Sequence, residues 1–431
     1  MSASILSSDT QRFCPSAELA KQLVREYGAP LYVYDEQTLL HAIDTVQSAF
    51  NYKNCRFAFA AVTNGNLNLL RIFKNANWGL HANTPGDAFL GIKAGFPGGD
   101  IVYSGSNLSS DEMDLMLSWG VSTFNLDSGD QLRSLLQACK RSKIDKIKIG
   151  MRLNLPSVTG ESRTGVDASE LPALQSLAKE SGLKVSGIHF YRGTSTNATE
   201  RFVDAFEKVV EVCEQLEDFE YLDFGGGFGF PYHDRRHSFD WHLFASELSA
   251  VLARRSLTPE LIIEPGRSVI AGSAVMLCNV ISTKWQGEKQ LVGVNATSSN
   301  IAVLSVHGGS RQVSAFRDSS SRFTSDVCGN TTYSRDYLAR GCELPEMKEG
   351  DILAIHDTGA YGFSMASHFL HRPLPAEVLV SAENSRLIRK RENWDCLLAN
   401  QVLSDSELFD AEVPASKLPA SGESFIEELS Q

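Results

Sequence analysis

No stretch of the 431 residues approaches the roughly 18 consecutive apolar residues of a membrane span, so a spanning helix is not expected. An excess of positive charge is also missing. Lys and Arg number 40 against 52 Asp and Glu, a net charge of −12, which argues against a nucleic-acid or anionic-membrane surface. The eight cysteines (Cys14, Cys55, Cys139, Cys213, Cys278, Cys328, Cys342 and Cys396) are scattered and form no CxxC pair. That spacing disfavours a disulfide frame or a zinc site, so no metal is expected and the thiols read as reduced packing residues. Met1 to Thr10 has neither a basic stretch nor an apolar stretch of a secretory leader, and the expected location is the cytoplasm. No internal repeat or low-complexity block is evident.

What is present is a chain with 42% hydrophobic and 21% charged residues, long enough for two domains, one of them a barrel of about 250 residues. Ser16 to Tyr27 has a helical pattern ahead of Gly28, Leu31 to Tyr34 is a short β-rich run, and Glu36 to Phe50 is again helical. An alternation then sets in. Apolar runs at Phe57 to Val62, Gly79 to Ala82, Asp100 to Ser104, Thr123 to Leu126, Lys146 to Leu153, Val185 to Phe190, Tyr221 to Phe224 and Leu261 to Glu264 read as strands, with helical patterns between them. About eight repeats of that unit predict a parallel (β/α)8 barrel, in which chemistry gathers at the C-terminal ends of the strands. Thr63, His81, Tyr191, Gly225 to Gly227 and Glu264 fall at those ends. Beyond residue 280 the pattern changes to β-like runs joined by turns, such as Lys348 to Asp351, and an antiparallel β domain is expected. The expected division is an N-terminal segment over 1–29 packing with that β domain, the barrel over 30–280, the β domain over 281–403 and a mobile acidic tail over 404–431.

Two of the apolar runs end in glycine turns: Asp223-Phe-Gly-Gly-Gly-Phe-Gly-Phe-Pro-Tyr232 and Glu264-Pro-Gly-Arg267. Glycines let an anion approach several backbone N–H groups at once, and an arginine adds a bidentate donor. Such turns also close strands for steric reasons alone. Two of them, the second with Glu264, Gly266 and Arg267, favour a phosphate cup.

Several motifs resemble, in order, the fold type III (alanine-racemase-like) pyridoxal-phosphate (PLP) amino-acid decarboxylases, and the diaminopimelate decarboxylases most closely. They are Leu31-Tyr-Val-Tyr-Asp35, Phe124-Asn-Leu-Asp-Ser128, Gly187-Ile-His-Phe190, Asp223 to Gly229, Glu264 to Arg267, Asp357-Thr-Gly-Ala-Tyr-Gly-Phe-Ser-Met365 and Arg372-Pro-Leu-Pro-Ala-Glu377. The resemblance implies a PLP barrel, a β domain, and a homodimer whose active sites are completed by the partner's β domain. It implies that Gly225, Gly226, Gly227, Gly266, Arg267 and Tyr361 bind phosphate. Glu264 would face the pyridine nitrogen and keep it protonated, which makes the ring an electron sink. Without the resemblance, Tyr361 would read as a core aromatic.

The chemistry-bearing positions depart from the pattern. Where the family carries its Schiff-base lysine, in a Tyr-Ala-Val-Lys-Ala-Asn-like run, this chain reads Phe59-Ala-Ala-Val-Thr-Asn-Gly-Asn66, with Thr63 at the lysine position. Threonine has no amine and forms no imine. Lys74 and Lys93, the nearest lysines in sequence, lie on helical patterns. The family's Cys-Glu-Ser-Gly-Asp loop is here Thr332-Tyr-Ser-Arg-Asp336, so Thr332 stands for the proton-donating cysteine and Tyr333 for a substrate-linked carboxylate; Cys328 reads as structural. Tyr191 replaces a ring-stacking histidine and His81 an aspartate. His81 is the best acid/base candidate by its ordinary pKa, although a lone histidine is more often structural.

Three functions are open on this reading. One is an enzyme that binds PLP, a PLP–amino acid adduct or another phosphorylated ligand non-covalently, with Thr63, His81, Tyr191, Thr332 and Tyr333 around it. Another is a catalytically silent regulatory homologue. The last is an ordinary decarboxylase, which the missing amine opposes. An amino-acid-derived small molecule is the expected ligand. Arg152, Arg163, Arg192 and Arg335 are each able to hold a carboxylate, and Asn295 to Asn300 lacks the family's Asp-Gly-rich substrate contacts.

Overall fold

The structure is a computed structural model that describes residues 11–193, 197–232, 238–307, 310–317, 319–382 and 384–402; the expected tail over 404–431 lies outside the described residues. The chain forms two compact units. Among the described residues, one comprises 11 and 38–272, the other 12–37 and 273–402.

The first unit is a closed parallel barrel of eight strands. They are β2 (Cys55–Ala60), β3 (Gly79–Ala82), β4 (Ile101–Tyr103), β5 (Thr123–Leu126), β6 (Lys148–Leu153), β7 (Val185–Phe190), β8 (Tyr221–Asp223) and β9 (Glu260–Ile263), with β9 returning to pair β2. Helices follow the strands and start on side-chain caps: Thr84, Ser109, Ser128 and Asp240 each accept an N–H from the first turn. Burial follows from the parallel arrangement, with β3, β5 and β7 buried at every position.

One aromatic organises the barrel interior. Tyr221 packs with Ala58, Val102 and Ile262. A β-carbon at Gly187 would sit 2.1 Å from its ring and one at Gly150 2.4 Å from its hydroxyl, so those two glycines make room for it. The hydroxyl is thereby delivered to Asn125 Oδ1 at 2.9 Å, next to the strand ends.

The second unit is a mostly antiparallel sheet built from both flanks of the barrel sequence. Its strands are β1 (Leu31–Asp35), β10 (Ala274–Gln286), β11 (Lys289–Val294), β12 (Val313–Ala315), β13 (Phe323–Cys328), β14 (Tyr337–Leu344), β15 (Ile352–Ile355), β16 (Ala376–Ser381) and β17 (Asn384–Arg389). The sequence places residue 30 onward in the barrel, but β1 lies in this sheet. It runs antiparallel to β10 through Leu31↔Leu277 and parallel to β16 through Val33↔Val378. Its alternate residues Leu31 and Val33 join Val275, Leu277, Val378 and Val380 in one core, capped by Ala20 and Leu23 of the helix Ala17–Tyr27. A five-residue apolar run carries no mark of which sheet it will enter, which is why the boundary moves to residues 37 and 273. No helix among the described residues is long and apolar enough to cross a membrane.

Candidate functional site

The C-terminal ends of the barrel strands bring together most of the residues singled out in that unit. Glu264, just past β9, is buried, with Oε2 3.4 Å from His81 Nε2 of β3 and 3.5 Å from His189 Nε2 of β7. Its other oxygen lies 3.5 Å from the Ser104 hydroxyl. Asp223 closes β8 beside it, wholly buried. Asn125 Nδ2 donates to Asp223 Oδ2 at 2.7 Å and to Ser104 Oγ at 3.0 Å, while the Gly225 N–H donates to Asp223 Oδ1 at 2.9 Å. Ser104, Asn125, His189 and Asp223 were not among the sequence candidates for a role. The available signal was a polar side chain inside an apolar strand, as in Thr-Phe-Asn-Leu, which marks burial without saying against what.

Burial sets the protonation of this cluster. Desolvation pushes Glu264 up to about 7. It drives Asp223 well above the ordinary carboxyl range, and the neighbouring Glu264 charge adds to the effect. Asp223 therefore keeps a proton that it shares with Glu264. Burial, then the nearby His189 and Arg152, lower His81 to about 3, and burial lowers His189 to about 4. Both imidazoles are neutral at physiological pH. His189, Asp223 and Glu264 lie within 4.8 Å of one another through their ligand atoms. With a shared proton and an N–H on each Asp223 oxygen, they form a proton network.

The proton count makes a prediction. Between about pH 4.5 and 6.5, using ordinary unfolded values, the two histidines bind protons only when unfolded and the two carboxyls only when folded, so their slopes oppose. Replacing both His81 and His189 by glutamine leaves the raised carboxyls unmatched. Their stabilising contribution is full below the unfolded pKa and is lost as pH rises through the folded one, so stability then falls with pH by up to roughly 1.4 kcal/mol per pH unit for each unmatched proton. Urea unfolding across that range checks it, and a flat profile in the double variant would refute the assignment.

The glycine turn follows Asp223 directly. Gly225 and Gly227 have φ of +63° and +97°. A β-carbon would come within 2.5 Å of the Phe190 carbonyl at Gly225, 2.7 Å of the Glu264 carbonyl at Gly226 and 2.2 Å of the Gly193 carbonyl at Gly227. The Glu264 N–H donates to Gly225 O at 2.8 Å, which ties the two glycine turns together. Flanking rings anchor the loop: Phe224 lies 5.0 Å from Phe206, and Phe228 4.6 Å from Trp241, between centroids. Since the Gly225 N–H is taken by Asp223, the turn offers an anion the N–H groups of Gly226 and Gly227 rather than all three.

Thr63 is fully buried in a single turn of 3-10 helix, Ala61–Thr63, that follows β2; the sequence had continued the strand to Val62. A β-carbon at Gly266 would sit 2.3 Å from the Thr63 hydroxyl oxygen, so the threonine lies against the Glu264–Arg267 turn. Arg267 Nη1 donates to the Tyr232 hydroxyl at 2.9 Å, a partner that the sequence reading missed. Tyr191 is half-buried, with the Arg152 guanidinium 5.4 Å from its ring centroid and its ring 3.4 Å from a β-carbon built on Gly227. Of the four candidate arginines, Arg152 is the one placed in this cluster. Neither nearby lysine is there: Lys74 packs against Gly95, and Lys93 lies over the Phe89 ring at 5.3 Å.

The remaining candidates belong to the second unit. Thr332 and Tyr333 are exposed, Tyr333 edge-on to Phe369 at 5.4 Å. Their loop is held by buried Asp336, which accepts from Thr297 Oγ1 at 3.0 Å, Ser298 N at 2.6 Å and Thr331 N at 3.1 Å. Burial raises the Cys328 thiol, which makes it a poor nucleophile. Tyr361 is half-buried rather than a core aromatic. It has φ of +56° at the end of a turn whose Asp357 pairs with Arg12.

Comparison with known proteins gives concordant matches. Residues 36–271 match the family described as pyridoxal-dependent decarboxylase, pyridoxal binding domain. The diaminopimelate decarboxylase of Methanothermobacter thermautotrophicus is 32% identical over 407 residues, covering 89% of this chain and 94% of that one. Among solved structures, diaminopimelate decarboxylase from Helicobacter pylori complexed with L-lysine superposes with a TM-score of 0.81 at 27% identity, covering 88% of this chain and 98% of that one. Diaminopimelate decarboxylase from M. jannaschi shares the fold at a TM-score of 0.85 and 24% identity, over 94% of this chain and 100% of that one.

Proposed function

This chain belongs to the pyridoxal-dependent decarboxylases, and from that membership we propose that it binds pyridoxal phosphate without a lysine link and acts on an amino-acid-derived ligand by chemistry that uses no enzyme amine. The observation that carries the reading is Thr63: a buried hydroxyl packed on Gly266, with Lys74 and Lys93 both committed elsewhere. The rest of the site fits the cofactor. The turn Gly225–Gly227 has no room for a β-carbon at any of its three positions, so its backbone lies bare of side chains, and Arg267 stands on the neighbouring turn, oriented by Tyr232.

When bound, the cofactor supplies an electron sink for a carbanion. The chain's own groups do the rest. Gly226, Gly227 and Arg267 hold the phosphate. Gly225 and Gly266 shape the two turns. Glu264, poised at about 7 by burial, gains an ion pair with a protonated ring nitrogen and is drawn to its carboxylate form. Protonated Asp223, fixed by Asn125 and Gly225, orients that carboxylate. Tyr191 packs on the ring, and Arg152 supplies fixed positive charge beside it. The buried walls exclude water and strengthen each of these interactions.

We also propose a cytoplasmic homodimer in which the partner's second unit brings Thr332 and Tyr333 to the site. Their exposure on an ordered loop supports it. A second reading, a catalytically silent regulatory homologue, is favoured by the same Thr63 and by the absence of a reactive thiol at 332. Absorbance with added pyridoxal phosphate, followed by borohydride and intact-mass measurement, separates these. Binding without a mass increment is the expected result. A covalent increment would restore a lysine-linked decarboxylase, and no binding would leave the silent homologue.

A further inference from the structure

We infer that Arg152 holds the α-carboxylate of the ligand, so that the pocket prefers phosphopyridoxyl adducts of amino acids to those of the corresponding amines. The inference rests on the function proposed above and specifies its ligand. Arg152 is the penultimate residue of β6 and the register partner of His189 on β7. Alternate residues of a strand share a face. Two positions earlier, a β-carbon on Gly150 would meet the Tyr221 hydroxyl in the barrel interior, so Arg152 points inward one layer above, at the strand ends. There it is half-buried, with its guanidinium carbon 5.4 Å from the Tyr191 ring centroid. His189 links it to the end of β9, with Nε2 3.5 Å from Glu264 Oε2.

Two groups of the ligand already have partners: the phosphate has Gly226, Gly227 and Arg267, and the ring nitrogen has Glu264. The α-carboxylate is the remaining anion that every amino-acid adduct brings. Arg152 is the half-buried cation left to meet it. Among the described residues it makes no ion pair and no hydrogen bond, and the charged residues in reach of it are Glu264, Asp127 and Arg163. Both carboxylates are committed, Asp127 to the Ser106 hydroxyl and Glu264 to His81, His189 and Ser104. Arg163 is exposed and adds positive charge to the same corner. The phosphate is the weaker claimant for this guanidinium. The atoms closest to β-carbons built on Gly225, Gly226 and Gly227 belong to Phe190, His189, Glu264, Gly193 and Tyr191, and none to Arg152. Arg192, another candidate, donates its Nε–H to the Arg201 carbonyl at 3.0 Å. A guanidinium meets a carboxylate through two parallel N–H bonds. The expected preference is about 10-fold or more, the scale of one hydrogen bond to a charged group.

Isothermal titration of the full chain with N-(5′-phosphopyridoxyl)-L-alanine, its D enantiomer and N-(5′-phosphopyridoxyl)ethylamine tests this, because the last differs from the others only in lacking the carboxylate. The better alanine adduct is expected to bind at least about 10-fold more tightly than the ethylamine adduct. Arg152→Gln should bring the alanine adduct down to the ethylamine adduct and leave the latter little changed. Arg152→Lys, which keeps the charge and loses the fork, should retain part of the preference. Arg192→Gln should retain all of it. Circular dichroism reports whether each variant is folded. Alanine adducts bound no more tightly than the ethylamine adduct by the unaltered chain would overturn the inference and leave the proposed function standing. So would a folded Arg152→Gln that weakens every adduct alike, since that would place the guanidinium on the phosphopyridoxyl part they share. Failure of all three adducts to bind would remove both.

Discussion

Replacing Thr63 by lysine is expected to convert a chain that borohydride and pyridoxal phosphate leave unlabelled into one labelled on nearly every molecule. Thr63 is fully buried, so a lysine there loses hydration and its pKa falls, leaving a larger fraction as the nucleophilic free amine. Neutral His81 offers no carboxylate to hold that amine as an ammonium. The neighbouring Val62, 40% exposed, is the control. Val62→Lys points an ordinary solvated amine away from the buried wall and should stay unlabelled. Intact-mass analysis after reduction reads both. Equal labelling of the two variants, or none in a folded Thr63→Lys, would show that position 63 does not face the ring.

Gly227→Ala should abolish binding of pyridoxal phosphate, weakening it at least about 100-fold, equivalent to roughly 3 kcal/mol. Two costs combine at this position. At φ of +97° an L side chain is strained, by about 1–2 kcal/mol for the left-handed region, and the new methyl would sit 2.2 Å from the Gly193 carbonyl oxygen. Relief requires moving the loop that shapes the phosphate cradle. Gly182 provides the comparison: its φ is +73°, but nothing lies within 4 Å of a built β-carbon. Gly182→Ala should therefore show the conformational cost in thermal unfolding and bind normally. Comparable binding by the two variants would remove the glycine turn from the site.

The parts of this protein that could be read from its residues are those governed by local pattern. Short apolar strands alternating with helices announced the barrel, because every crossover between parallel strands has to be bridged by a helix. The glycine turns were legible because only glycine meets their steric demands, and Glu264 was legible because it follows a buried strand directly. Elsewhere the determining contacts were remote in sequence. Leu31 to Asp35 looks like any barrel strand, and its partners lie at Ala274–Leu277 and Ala376–Val380. Ala61–Thr63 is as apolar as the strand before it, so the turn that places Thr63 against Gly266 left no local trace. The proton shared by Asp223 and Glu264 depends on six strands converging, and no spacing encodes that.

The membership of β1 in the second sheet has a consequence for synthesis on the ribosome. Leu31–Asp35 emerges first, and both strands that will flank it are made only after the whole barrel. At about 5–20 residues per second, that strand waits on the order of tens of seconds with its apolar face and both hydrogen-bonding edges unmatched. The barrel, whose strands pair with near neighbours, closes during the delay. The nascent chain is thus a folded body trailing a sticky, unpaired ribbon at its start, the kind of segment that holdase chaperones recognise. Its yield in cells should depend on such cover more than the stability of the finished molecule would suggest.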